Sequence, residues 1–380
     1  MTALLLAAAF ALPAAERTQI DAVVASVTRE QHIAGLSLGI ARSGRRLYLR
    51  GYGLRDVNRD LPADGFTVYR AGSIAKQFTA ALVLRAVEAG RMHMPAVEHL
   101  LTQTSSDSGA WHYDNANYAQ LGSMLEAASG RSFENLLRER ITGPLGLEST
   151  GCRLPPYAGN AARGYAWNGS WTALQSGDDV PCSSAGLTAN APDLLAWLEA
   201  LRSGSIVSAA SFAAMTTSAR LRSGIPANYG YGFFIADWFG YTVAEHSGNV
   251  PGYSALDAVV LRDGLEIAVL TNADAVDLTP LVKSVVAVLD PPLDRNLAAT
   301  VGAPPQNENL GVTDALKALL QTSGFASYGT LDALEFVERS ASAATTYDKY
   351  RATFSTGQWW VVLGYRAGDT IVSLSLSPVQ

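Results

Sequence analysis

The chain of 380 residues contains only two cysteines, Cys152 and Cys182. That count excludes a disulfide-stapled scaffold and a cysteine-based structural zinc site, and leaves room for a single bridge. The five histidines, His32, His93, His99, His112 and His246, form no HExxH or other metal-pair spacing, so no metal is expected. After the N-terminus there is no stretch of 18 or more apolar residues, which speaks against a multi-span membrane protein. Basic residues are outnumbered, 28 Lys+Arg against 34 Asp+Glu, for a net charge of −6. With no basic patch to neutralise phosphates, nucleic acid is not expected as a partner. Lysine is the scarcest charged residue, limited to Lys76, Lys283, Lys317 and Lys349, so the setting of each is informative.

What is present is apolar surface to bury. Hydrophobic residues make up 48% and charged residues 16%, enough for a sizeable core and incompatible with wholesale disorder. The length suits one large domain with a small one, or two of moderate size. Residues 1–15, MTALLLAAAFALPAA, form an apolar run closed by small residues, although the usual positive start is missing. This reads as a secretory signal, hence a periplasmic or secreted protein, in which a Cys152–Cys182 bridge would persist.

Along the chain, Thr18 to Gln31 has helical periodicity, and Leu36 to Gly53 reads as two strands around Ser43-Gly44. A strong helix runs from about Ser73 to Ala89 and is stopped by Gly90. Residues 115–150 and 191–203 are helical, followed by strands at Tyr231–Trp238, Tyr241–His246, Ala255–Leu261 and Leu265–Thr271, then an apolar helix from Leu278 to Leu289. The Pro/Asn-rich stretch that follows is the best linker candidate. Beyond it lie a helix, Val312–Thr322, and four strands at Phe336–Arg339, Tyr347–Phe354, Gln358–Gly364 and Thr370–Leu376. The expected organisation is a signal at 1–15, a main domain at 16–290, a linker at 291–308 and a small α+β module at 309–380. Strands at both ends with helices inserted between them make the main domain an α+β antiparallel sheet rather than an alternating βαβ fold. No GxGxxG opens a helix after a strand, and no G-x-S-x-G elbow precedes a plausible Asp…His order, so neither a Rossmann nor an α/β-hydrolase reading has support.

Three short motifs carry chemistry. Ser73-Ile74-Ala75-Lys76 puts a hydroxyl and an amine on one helix face. A serine needs a neighbouring base to become a nucleophile, and a lysine serves only if burial or positive charge lowers its pKa. Taken alone the motif could be a helix cap with a solvated first-turn lysine, but the helix that follows is too apolar for a surface element. Tyr113-Asp114-Asn115 offers a phenol that relays a proton when a nearby lysine lowers its pKa, and an amide that contacts a substrate; taken alone it reads more simply as a turn. His246-Ser247-Gly248, at the end of a strand, offers an imidazole that could act in catalysis, orienting the acyl group or assisting proton transfer, and an edge whose N–H groups can face a developing oxyanion; taken alone it reads more simply as a histidine before a glycine turn.

Each motif occurs once, in the order SxxK, YxN, HxG, and together they resemble the serine β-lactamase-related family of penicillin-recognising hydrolases. That family includes class C β-lactamases, D-alanyl-D-alanine carboxypeptidases, D-amino-peptide hydrolases and related esterases. The resemblance runs from about Ile33 to Leu289 through TVYRAGSIAKQFTAALVLRAVEAGRM, HLLTQTSS, SSAGLTANAPDLLAWLEAL and HSGNVPGYSALDAVVLRDGLEIAVLTN. It implies a β-lactamase/transpeptidase-like sheet flanked by helices and no cofactor. By position, Ser73 resembles the acylated nucleophile, Lys76 its base and Tyr113 the proton shuttle. Asn115 resembles the substrate-amide contact, and Gly248 and Asn249 the substrate-binding edge, with the Asn249 and Ser73 N–H groups forming the oxyanion hole. His246 sits where the lactamases and carboxypeptidases usually carry lysine.

Two departures stand out. Tyr113 follows Lys76 by only 37 residues, so the helical subdomain beside the site is reduced, leaving either an open pocket or a misplaced tyrosine. Histidine at 246, half neutral near pH 7, suits a substrate carboxylate less well than lysine does, which tilts away from penicillins towards short acyl esters and D-amino-acid peptide amides, with weak lactam turnover still allowed. Small molecules or short peptides are the expected partners. The alternative is a non-catalytic descendant of the fold that binds cell-wall peptides or a partner protein. The Trp359-Trp360 pair of the C-terminal module reads as core packing.

Overall fold

A computed structural model describes residues 12–104, 111–155, 159–175, 180–221, 226–290, 310–322, 325, 328–342, 345–366 and 370–378. Residues 1–11 of the signal-like run and all of the proposed linker at 291–308 lie outside the described residues; Ala14 and Ala15 open the first helix.

That helix, α1 (Ala14–Glu30), buries Ile20, Val24 and Val27, which recur on one face as the periodicity predicts. Strands β1 (Gly35–Arg42) and β2 (Arg45–Asp56) form a hairpin through Ser43 and Gly44, both at positive φ. The short β3 (Leu61–Pro62) pairs with β2. Near the other end of the main unit come β8 (Phe234–Trp238), β9 (Tyr241–Val250), β10 (Tyr253–Val260) and β11 (Leu265–Thr271). All join one seven-stranded antiparallel sheet in the order β3-β2-β1-β11-β10-β9-β8, closed by β1 against β11 with Leu36 opposite Thr271. As expected from the sequence, the sheet is assembled from both ends of this unit.

Both faces of the sheet are covered. On one, Leu36, Leu38, Ile40, Leu256 and Val269 pack with α1 and the late helix α8 (Thr279–Leu289). On the other lie α2 (Ala75–Glu88) and α6 (Ala191–Arg202), with Leu195 so close to Gly39 that a Cβ there would meet it at 2.9 Å. Two-sided burial explains why every residue of β10 and β11 is buried, so that both read as largely apolar runs, broken only at Ser254, Asp257 and Glu266 before the closing Thr271, rather than as alternating ones. Between the strand groups sit α3 (Met94–Leu101), α4 (Asn115–Ser129), α5 (Phe133–Leu137), which continues into a π-turn, and α7 (Ala209–Met215). Helices α3 and α7 are absent from the sequence reading because each is short. Two minor ribbons complete the unit: β4 (Tyr69–Gly72) with β7 (Leu187–Ala189), and β5 (Tyr165–Trp167) with β6 (Trp171–Ala173). The fold is the expected α+β architecture with a reduced helical subdomain.

The C-terminal residues form a four-stranded meander, β12 (Leu331–Ser342), β13 (Thr345–Phe354), β14 (Gly357–Arg366) and β15 (Thr370–Pro378), with helix α9 (Leu310–Leu320) on it. Trp359 packs against its apolar core, whereas Trp360 lies on the opposite face beneath Lys349 and Arg351.

One strand boundary differs from expectation. The glycine of His246-Ser247-Gly248 is not a stop, since β9 continues to Val250. Gly248 is needed inside the strand because β4 passes against it: a Cβ there would sit 2.0 Å from the carbonyl oxygen of Ala71. The Gly-Leu-Ser-Leu-Gly run at 35–39 also lies within β1, at no strand-to-helix elbow, and Ser37 donates its hydroxyl to the Asp64 carbonyl. Because the clash at Gly248 is with backbone, Gly248→Ala is expected to cost about 1–3 kcal/mol of stability, measured by urea unfolding; an unchanged midpoint would contradict this strand contact.

Candidate active site

The SxxK segment is placed by backbone geometry. Strand β4 ends at Gly72, which turns the chain at φ +57°, a region glycine occupies without steric cost. Ser73 and Ile74 follow, then α2, whose residues from Ala75 to Leu84 are all buried. The helix is clamped from two sides. Phe78 stacks on Trp197 of α6, with ring centroids 3.9 Å apart. Gln77 accepts from Trp197 Nε1 at 2.9 Å and donates to Asp257 Oδ1 on β10 at 2.6 Å. The residue before the helix, Ile74, gives no side-chain cap, so the bland reading of Ser73 as a cap does not apply; its hydroxyl faces Lys76 instead.

Lys76 is fully buried, and its Nζ has three oxygen neighbours: Ser73 Oγ at 3.1 Å, Asn115 Oδ1 at 2.6 Å and the Ser184 carbonyl at 2.8 Å. Burial pulls its pKa down to about 7, against a smaller opposing pull from Asp114. A neutral amine has two N–H groups and one lone pair. Two of the three neighbours, an amide oxygen and a peptide carbonyl, can only accept. They take the two N–H groups and leave the lone pair directed at the Ser73 hydroxyl, the one neighbour with a proton to give. The arrangement is therefore competent to deprotonate Ser73 near neutral pH.

Tyr113 is delivered to this site in spite of the shortened segment. Gln103, buried and in the left-handed region (φ +59°), accepts from the Asp114 amide at 3.1 Å and from Asn117 Nδ2 at 2.6 Å, while Asp114 caps α4 through the Ala116 amide. The Lys76 ammonium position lies 4.7 Å from the Tyr113 ring centroid. The expectation that lysine lowers the phenol pKa needs correction: burial dominates and raises it, with the Ser73 hydrogen bond only partly offsetting the rise. Desolvation acts on both groups and favours the neutral amine beside the neutral phenol. Asn115 is exposed, at the first residue of α4, with its carbonyl oxygen committed to Lys76.

His246 also departs from expectation. It is 1% exposed, and burial together with the nearby Lys76 drives its pKa down to about 3, so it is neutral across the working pH range rather than half charged near pH 7. Its Nδ1 lies 2.6 Å from the Ser247 carbonyl, an acceptor, so Nδ1 carries the proton and Nε2 accepts from Tyr229 Oη at 3.2 Å. Both ring nitrogens are thus engaged within the protein. The imidazole belongs to an aromatic group with Tyr113, Tyr229 and Phe234, centroids 5.1–6.0 Å from its own. Trp111 lies 6.0 Å from both Tyr229 and Phe234.

At Gly248 the strand edge meets the turn before the serine. A Cβ on Gly72 would lie 2.8 Å from the Asn249 nitrogen, and one on Gly248 would lie 3.1 Å from the Ser73 nitrogen. The two amides named by the sequence resemblance therefore flank one close glycine–glycine contact. Side chains the sequence reading missed are Gln77, Gln103, Asp257 and Trp197, along with the Ser184 carbonyl. Gln77 and Asp257 were visible only as polar residues in apolar stretches, and Gln103 only as one polar residue among the threonines and serines of 102–106; a backbone carbonyl leaves no sequence signal.

Comparison with known proteins agrees with the fold. A D-aminopeptidase of Gluconobacter oxydans is 22% identical over 316 residues, 67% of this chain and 58% of its own, so the chain spans little more than half of that relative. A D-aminopeptidase of Cereibacter sphaeroides is 26% identical over 219 residues, covering 53% of this chain and 40% of its own. Among solved structures, the octameric penicillin-binding protein homologue of Pyrococcus abyssi superposes with a TM-score of 0.63 at 19% identity, covering 96% of both chains. The D-amino acid amidase of Ochrobactrum anthropi gives 0.60 at 18% identity, over 73% of this chain and 99% of its own. At such identities the structures speak to the fold alone. The beta-lactamase family profile, however, matches residues 20–281, most of the chain, and the protein therefore belongs to the beta-lactamase family.

Proposed function

We propose that the protein is a serine hydrolase that works through an acyl-enzyme on Ser73. The observation that carries this reading is the buried Lys76 amine, with its two N–H groups held by acceptors and its remaining neighbour the Ser73 hydroxyl. In the proposed cycle Lys76 takes the Ser73 proton as Oγ attacks the acyl carbon. The Ser73 and Asn249 amides hold the oxyanion, Tyr113 passes a proton to the leaving group, and water then releases the acyl group. Asn115, Gly248 and Asn249 line the substrate, while His246 holds Tyr229 and the aromatic wall.

The substrates we propose are short acyl esters and D-amino-acid peptide amides, with β-lactams at most weak. A neutral His246 offers no counter-charge to a substrate carboxylate, and the curated relatives named above are D-aminopeptidases. The Cys152–Cys182 bond and the apolar start of the chain support export to the periplasm or beyond.

The decisive test is intact mass after treatment with a fluorophosphonate. One adduct on the wild type, lost in Ser73→Ala, is expected; no adduct on folded protein would replace the hydrolase with a binding protein of the same fold. Lys76→Ala should slow labelling by about 10²–10⁴-fold, the usual share of a general base. Because the base works only when neutral, the labelling rate should rise with pH through about 7 and level off above it. A rate that is flat from pH 5 to 9 would exclude Lys76 as the base. His246→Lys should raise turnover of carboxylate-bearing β-lactams relative to neutral D-amino-acid amides, read as the ratio of the two kcat/KM values; an unchanged ratio would remove residue 246 from specificity.

A further inference from the structure

The Ser184 carbonyl, one of the two acceptors that orient Lys76, sits in a turn pinned to its surroundings at several points. The amides of Ser184, Ala185 and Gly186 all donate to the Pro181 carbonyl, at 3.0, 3.1 and 3.1 Å. Thr79 of α2 donates to the Ser183 carbonyl at 2.7 Å. Ser183 fills the notch left by Gly122 of α4, where a Cβ would lie 2.4 Å from its Oγ. Gly186 is packed so closely that its own Cβ would meet the Val180 carbonyl at 2.4 Å. The remaining anchor is covalent: Cys182, at the start of the turn, is bonded to Cys152.

We propose that the Cys152–Cys182 disulfide is a positioning element for the general base, holding the Ser184 carbonyl on Lys76, and that reduction by a small thiol switches the base off. The inference rests on the proposed role of Lys76. Only Ser183 lies between Cys182 and Ser184, so any displacement of the cysteine passes along one short turn to the carbonyl. The bond also borders open space. Both cysteines are half-buried and border a cavity of about 600 Å³ with Gly122, Ser123, Glu126, Arg153 and Ser183. One thiolate attacks a cysteine sulfur, breaking the S–S bond and leaving a mixed disulfide and a free cysteine thiolate that takes up a proton. A second thiol displaces the protein sulfur from the mixed disulfide. Two protein thiols and one small-molecule disulfide result, with the two electrons supplied by the thiols.

Once the turn loosens, water reaches an amine that in the oxidised protein faces, among the described residues, Ser73, Asn115, Ser184, the rings of Tyr113 and Tyr118, and more distantly Asp114 and His246. Its desolvation is relieved and its lone pair is no longer fixed on Ser73. The hydrolase would then be competent in an oxidising compartment and idle in a reducing one.

Two readouts separate this inference from the hydrolase reading. The first is the rate of fluorophosphonate labelling between pH 5 and 9. The second, independent of catalysis, is the titration of the four lysines by ¹³Cε NMR, with Lys76 assigned through Lys76→Arg. Both are measured on the oxidised protein, on the protein reduced by a phosphine or dithiol, on the reoxidised protein and on the Cys152→Ser/Cys182→Ser double variant, with far-UV circular dichroism throughout. The expected result is labelling slowed by on the order of 10²-fold on reduction. Its pH limb and the Lys76 titration should both move from about 7 towards the ordinary lysine range, with circular dichroism retained and everything restored by reoxidation. A reduced, folded protein with an unmoved Lys76 titration overturns the inference. So does a rate loss that merely follows loss of circular dichroism, because the bond would then hold the fold and not the base. Absent labelling of the oxidised protein, with a Lys76 titration that responds to reduction, overturns the hydrolase reading and leaves the positioning role standing.

Discussion

A lysine amine removed from water has to find its hydrogen-bond partners inside the protein, and the region around Ser73 is arranged by that requirement. Three elements distant in sequence converge on one nitrogen: α2 contributes Lys76 itself, the start of α4 gives the Asn115 amide oxygen, and the turn before β7 gives the Ser184 carbonyl. Burial alone would make the amine a base without a direction. Acceptors alone, in water, would leave it a charged ammonium. Burial lowers the pKa to about 7, and the acceptors aim the lone pair.

The sheet supplies the counterpart of that arrangement. Strand β9 is held by β10 through a register that sets Asp257 opposite His246, and Asp257 in turn grips Gln77, the neighbour of Lys76 on α2. The strand that presents Gly248 and Asn249 to the serine is thus tied to the helix carrying Lys76 by the Asp257–Gln77 pair. The absence of a side chain at Gly248 lets backbone meet backbone, so the position of the edge against Ser73 follows from covalent geometry rather than from the choice of a rotamer.

Much of this was legible in the sequence, for identifiable reasons. Elements that bury a regular stripe, such as α1 with Ile20, Val24 and Val27, announce themselves by period. SxxK is legible because i and i+3 share a helix face, so Ser73 and Lys76 had to meet if a helix formed there. Convergence is harder to read. That Asn115 would spend its oxygen on Lys76, and that Tyr113 would arrive after so short a connection, depends on the Gln103 anchor, whose contacts to Asp114 and Asn117 are set by tertiary packing. The charge state of His246 was misjudged because a histidine's pKa is decided by its surroundings, and the Tyr229 hydroxyl and Ser247 carbonyl that enclose it cannot be read from an HxG triplet. The bridge between Cys152 and Cys182 was an open possibility in the sequence, since two cysteines thirty residues apart carry no information on whether their backbones approach; their Cα atoms lie 5.3 Å apart.

The closure of the sheet also bears on how the chain comes into being. Strand β1 is made early, yet its partner on the inner side is β11, with Leu36 waiting for Thr271. Until that strand emerges, the β1–β2 hairpin has an open edge, and α8, which shares one face of the sheet with α1, is later still. Long-range pairing of this kind makes folding slow and late. A chain threaded N-terminus first through a narrow exit therefore stays loosely folded for most of its passage. The Ser73 site, encoded in the first quarter, is complete only when the last strands of the sheet have arrived.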